Sequence, residues 1–174
     1  MDASQPSNAQ MWPRRGPLPD LEIPMISTMV ECLGSEHRKM DEHVLHLALA
    51  ATRLASRPDD VTTLARAVEA WEEIRRELRS HVQIEDELVL SWGDTHQAIS
   101  PTLLDMLKIE RQEMRRLMAA LPELPSDEGQ GPESAAERAT FARTLLALAR
   151  NLDSHIERYD AEVLPSILRA VFHD

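Results

Sequence analysis

The chain has 174 residues, about one domain's worth, with 30 acidic residues against 19 basic ones and a formal charge of −11. That balance argues against nucleic acid, whose binders need a basic stripe, and against polybasic attachment to anionic lipid. No apolar run approaches the roughly 18 residues of a bilayer span, and a single cysteine, Cys32, excludes an internal disulfide and a Cys-rich zinc site.

Residues 1–24 hold Pro6, Pro13, Pro17, Pro19 and Pro24 and little apolar periodicity, so they read as an extended or disordered N-terminal arm. The stretch has no apolar h-region of a signal peptide, and with the lone thiol this makes a reducing, cytoplasmic setting the expectation. From residue 25 to 174 the sequence reads as one bundle domain.

Helix one is expected over 25–56, with Ile26, Val30, Leu33, His37, Met40, Val44, Leu47, Ala51 and Leu54 three and four apart on one face. Gly34 lies inside it and is read as a close helix approach, because glycine otherwise costs about 1 kcal/mol there. Cys32, beside a seam leucine, is read as a small buried hydrophobe. Arg57-Pro58 stops the helix, and Asp59 or Asp60 caps the next. Helix two, 60–92, has the seam Leu64, Ala67, Trp71, Ile74, Leu78, His81, Glu85, Leu88 and Trp92. Ser100-Pro101, an N-cap followed by an N1 proline, opens helix three at 100–121, with Leu104, Leu107, Glu110, Met114, Leu117 and Leu121. A loop at about 122–133 leads to a capping box, Ser134 and Glu137, and to helix four over 134–171. Its seam is Leu145, Leu148, Leu152, His155, Tyr159, Val163 and Ile167. Four amphipathic helices on short connections predict an all-α, antiparallel up-down-up-down four-helix bundle.

The seams carry polar residues where an unpaired one costs about 1–3 kcal/mol. His37 lies about 11 residues into helix one, roughly 16 Å from that end at ~1.5 Å per residue. In an antiparallel bundle His81, Glu85, Glu110, His155 and Asp160 fall at similar heights, within a slab about two turns thick. A lone seam histidine is ordinarily a hydrogen-bonded core residue, but three imidazoles and three carboxylates at one height predict a metal site. Carboxylate suits a hard cation and imidazole suits Fe, Mn or Zn. Tyr159, four residues after His155, is read as packing with its hydroxyl near the carboxylates, with a redox or proton-donor role beside the metal as the alternative. His43 and His46 lie off the seam and read as solvated.

Together, Glu36-His37-Arg38, His81-x-x-x-Glu85 and His155-x-x-x-x-Asp160 resemble the hemerythrin-like (HHE cation-binding) family over about residues 25–171. The resemblance implies two non-heme iron ions, with Mn or Zn as substitutes. Glu85 and Asp160 would lie between the irons, with His37 and His81 on one and His155 on the other. Helix three departs from the oxygen carriers, which have two histidines four apart there, whereas this chain has Leu107-Lys108-Ile109-Glu110-Arg111. Either Glu110 replaces imidazole as a ligand or the half-site is weak and one metal binds. Arg111, one position on, is expected to point to the flank. The implied partner is O2 or NO, and a more carboxylate-rich site raises the alternative of an O2-dependent oxidase or oxygenase acting on a small organic substrate. Ferritin-like bundles need Glu-x-x-His, and no histidine here has a glutamate three residues before it.

Overall fold

A computed structural model of the chain describes residues 22–121 and 132–172. The helices are α1 (Glu22–Ser56), α2 (Val61–Glu85), α3 (Pro101–Ala119), α4 (Ala135–Arg158) and α5 (Leu164–Phe172). A π-helical segment, Asp86–Gly93, continues α2, and a second, Tyr159–Val163, joins α4 to α5 into one long fourth rod. No strand occurs among the described residues. The expected N-terminal arm lies outside the described residues except for its last three, which open α1 at Glu22. Most of the 122–133 loop also lies outside them.

Local chemistry sets the helix starts. The Asp60 side chain accepts from the Thr62 and Thr63 amides, and Ser100 accepts from Leu103 ahead of an N1 proline. Ser134 and Glu137 form the reciprocal capping box. Each cap occupies backbone donors that the first helical turn leaves without a partner.

α1 packs against α2 and α4, and α3 packs against α4. The interior is two apolar clusters rather than one. The first joins Met40–Leu54 of α1, Ala67–Leu78 of α2, Met114–Leu121 at the end of α3, and Phe141–Ile156 of α4. The second joins Ile26–Leu33 of α1, Leu88–Trp92, Leu103–Leu107 of α3, and Tyr159–Val171. The order of the clusters reverses from each rod to the next, as an antiparallel up-down-up-down bundle requires. Between them lies a layer of buried polar side chains: His37, His81, Glu85, Arg111 and His155.

Two expectations change here. Cys32 is exposed, not buried, since it sits about 100° around α1 from the core residue Leu33. Gly34 needs no close approach, because a Cβ there would make ordinary contacts of 3.7 Å with Arg38 and 3.9 Å with Leu164. Gly34→Ala is therefore expected to stabilise the protein by about 1 kcal/mol, the helix-propensity difference. A urea midpoint that fails to rise would show that the glycine serves a purpose other than space.

Candidate metal centre

The polar layer is assembled from four rods. α1 supplies His37, α2 supplies His81 and Glu85 one turn apart, α3 supplies Arg111, and α4 supplies His155. Potential ligand atoms of His37, His81, Glu85 and His155 all lie within 4.8 Å of one another. Each of these residues is at most 2% exposed. The imidazole centroids stand 4.9 Å apart for His37 and His81, and 6.2 Å apart for His81 and His155.

Glu85 is the hub. Its Oε1 lies 2.7 Å from His155 Nε2 and 3.0 Å from His81 Nε2, and its Oε2 accepts from Arg111 Nη2 at 3.2 Å. Burial opposes the charge on this carboxylate, but the neighbouring His155 and His81 outweigh it and hold the acid well below the usual carboxylate range. Burial keeps His37 below the ordinary imidazole range despite its bond to Asp160. Burial also disfavours the charged form of His81, yet Glu85 and Glu36 overcome it and raise that residue.

Outside the cluster, carboxylates face the other ring nitrogens. Asp160 Oδ1 is 2.8 Å from His37 Nδ1, and Glu36 Oε2 is 3.0 Å from His81 Nδ1. Glu110 Oε2 lies 3.9 Å from His155 Nδ1, while its Oε1 meets Arg158 at 3.0 Å. An ionised carboxylate only accepts, so Nδ1 donates in the two short pairs, which leaves the lone pair on Nε2 of the neutral His37, while Nε2 of His155 donates to Glu85 in the metal-free state. His37 Nε2 is buried without a hydrogen-bond partner, and Nε2 of His81 and of His155 share Glu85 Oε1. Three buried imidazole nitrogens gathered about one anionic oxygen fit the donor set of a metal ion, whose binding releases the protons they hold. The two histidines off the seam stay apart from the centre: His46 is exposed, and His43, expected to be solvated, is half-buried and pairs with Glu77 at 2.8 Å.

The π segments bear on this geometry. One begins directly after Glu85, and the other contains Asp160. Five residues of regular α-helix turn about 500°, which would leave Asp160 about 140° away from His155. The wider winding from Tyr159 to Val163 alters that relation, as π insertions at functional sites do. Pro165 follows immediately, and it has no N–H to give to the carbonyl of Ala161.

The family model of the hemerythrin HHE cation binding domain matches residues 28–167. The chain belongs to the hemerythrin HHE family. No curated protein and no solved structure matches it.

For an HHE domain this centre divides the six expected ligands. His37, His81, Glu85 and His155 come together, whereas Asp160 bonds the outer nitrogen of His37 and Glu110 lies 3.9 Å from that of His155. On α3 the expected seam is corrected by one residue: Arg111 is buried in line with Leu107 and Met114, and Glu110 lies to the side, paired with Arg158. Arg111 therefore does not point to the flank. Its guanidinium is held by Glu85, by the Val82 carbonyl at 2.8 Å, and by Asp86. A 3-3-4 spacing through Glu110 and a 3-4-3 spacing through Arg111 both fit a helical stripe, and only the acceptors on α2 distinguish them.

Glu36, which the sequence motif leaves without a role, is the partner of His81. Its position beside His37 is the signal, since the next residue around α1 faces α2. Tyr159 is buried against His155, with ring centroids 4.4 Å apart, and its hydroxyl bonds to Glu85. Burial first, and then the Glu85 charge, push the phenol pKa up, so it keeps its proton and donates.

Proposed function

We propose that the chain is a non-heme iron protein that binds and reacts with O2, or binds NO, at the His37, His81, Glu85 and His155 centre. The observation that carries this reading is the set of three buried imidazole Nε2 atoms gathered about one carboxylate between two apolar clusters. Imidazole with carboxylate suits Fe, and Mn or Zn compete for the same donors. Iron held there supplies electrons to O2 or a coordination position to NO.

The surroundings favour a diatomic partner over the organic-substrate alternative. Ligand residues at most 2% exposed admit only a small molecule without rearrangement. Leu33 and Leu107 on one side and Met40 and Met114 on the other close the layer with apolar surface and keep bulk water away. Tyr159 directs a proton at Glu85 from within that shell.

The test is anaerobic loading with Fe(II), followed by exposure to O2 or NO with absorption and O2 uptake recorded. O2 uptake in proportion to iron, or a new visible band with NO, is expected. Protein that holds iron and responds to neither gas is not an O2 or NO protein, and a strong preference for Zn in competition would remove iron from the reading. Tyr159→Phe is expected to retain its iron while reacting with O2 roughly tenfold more slowly, the low end of effects for residues that orient ligands. An unchanged rate would confine Tyr159 to packing.

A further inference from the structure

We propose that this domain binds one metal ion, on Nε2 of His37, His81 and His155 and Oε1 of Glu85, and that the Arg111 guanidinium takes the place of the second cation of a two-metal centre. The inference rests on the metal-binding reading above and specifies its stoichiometry.

The donor set is complete for one ion. Two of the histidines have a carboxylate hydrogen-bonded at Nδ1, Asp160 at 2.8 Å on His37 and Glu36 at 3.0 Å on His81, and Glu110 Oε2 lies 3.9 Å from His155 Nδ1, beyond hydrogen-bond reach. A carboxylate on the outer nitrogen fixes the ring orientation and raises the basicity of the inner one, which is how histidine ligands are commonly supported. Asp160 is in this arrangement a positioning residue spent on an imidazole, and Glu110 is committed through Oε1 to Arg158. Nε2 of His155 and of His81 already face the same oxygen, Oε1 of Glu85, at 2.7 and 3.0 Å.

The remaining side of the layer is filled. A second ion would need the other oxygen of Glu85, but Oε2 is engaged by Arg111 Nη2 at 3.2 Å. The same guanidinium meets Asp86 Oδ1 and the Val82 carbonyl, so three oxygens from α2 and its π segment converge on one permanent cation. Arginine does not lose its proton in proteins, and a divalent ion beside it meets like charge. One turn before Arg111, the inward residue of α3 is Leu107, which is 3% exposed and has no donor atom. Thus α3 brings a hydrocarbon and a fixed positive charge to the inner side of the layer, while Glu110 stands on the outer side of His155 with Oε1 bound to Arg158.

Elemental analysis and titration calorimetry on the full chain, reconstituted anaerobically with Fe(II) and in parallel with Co(II), test the proposal. One equivalent is expected, with the paramagnetic resonance of an isolated, uncoupled ion. Two equivalents with a coupled signal overturn it while leaving the metal reading intact. No metal on protein with full helical circular dichroism overturns both.

Variants separate the roles. Asp160→Asn and Glu110→Gln, which keep an acceptor oxygen, are expected to hold one equivalent with affinity lowered by at most roughly 10–100-fold, and Asp160→Ala to lose more than Asp160→Asn. Equal losses in the two Asp160 variants would contradict the positioning role. Arg111→Gln removes the charge from the three-oxygen pocket and is expected to admit a second, weaker equivalent that Arg111→Lys does not. An Arg111→Gln protein with one equivalent and unaltered affinity overturns the role given to Arg111.

Discussion

Glu85→Ala is expected to destabilise the metal-free protein by about 3–5 kcal/mol and to abolish metal binding. The magnitude is that of removing one partner from a buried charged pair, since Glu85 is 1% exposed and its loss strips an acceptor from Arg111 and His155. Metal binding disappears for a different reason: Glu85 contributes the only buried carboxylate of the polar layer among the described residues. In the wild-type protein a metal at about a thousandfold excess over its Kd adds about 4 kcal/mol, because it binds the folded state alone. Urea unfolding with and without metal checks both statements. A metal-dependent rise in the midpoint of the Glu85→Ala protein equal to that of the wild type would remove Glu85 from the centre.

The fold could be read from the sequence because burial in a bundle is governed by a simple period. Every residue from Ile26 to Leu54 assigned to the first seam is buried, and so is every assigned residue from Leu145 to Ile167 in the fourth rod. On α2 only Leu64 is partly exposed. With the π segments counted into their rods, helix limits fell within three residues of their expected places, and the starts at Asp60, Ser100-Pro101 and the Ser134 box follow from capping chemistry.

The site was legible in its histidines and in Glu85, whose polarity interrupts an otherwise apolar stripe. It was less legible where the answer depends on a second helix. Glu110 and Arg111 are equally compatible with the stripe of α3, and the ordinary preference of arginine for solvent points the wrong way. Acceptors on α2 reverse that preference, and they are about 25 residues distant in sequence, a tertiary fact without a local signature. Carboxylate partners such as Glu36 depend on helix rotation in the same way. The π segment beside Asp160 did leave a sign, Pro165, but a proline late in a helix also fits a simple kink.

Arg111→Met should behave differently alone and in combination. Alone it leaves Glu85 buried with one oxygen facing hydrocarbon and Asp86 without its main partner, so a loss of about 3 kcal/mol is expected. Combined with Glu85→Leu, the buried charges leave together and apolar side chains of similar reach replace them. Such exchanges of an ion pair for packed hydrocarbon are often neutral or stabilising, so the double variant should be more stable than the sum of the single losses predicts. A coupling of about 1–3 kcal/mol is expected from the double-mutant cycle measured on metal-free protein. Additive losses would mean that Arg111 is held by Asp86 and the Val82 carbonyl without Glu85, and the guanidinium would then have no energetic link to the metal centre. If the coupling appears, the double variant should also bind no metal, since its layer retains imidazoles but no anion to neutralise a cation. Stability and metal capacity would then move in opposite directions at the same two positions, as expected where a buried charge is kept for binding rather than for folding.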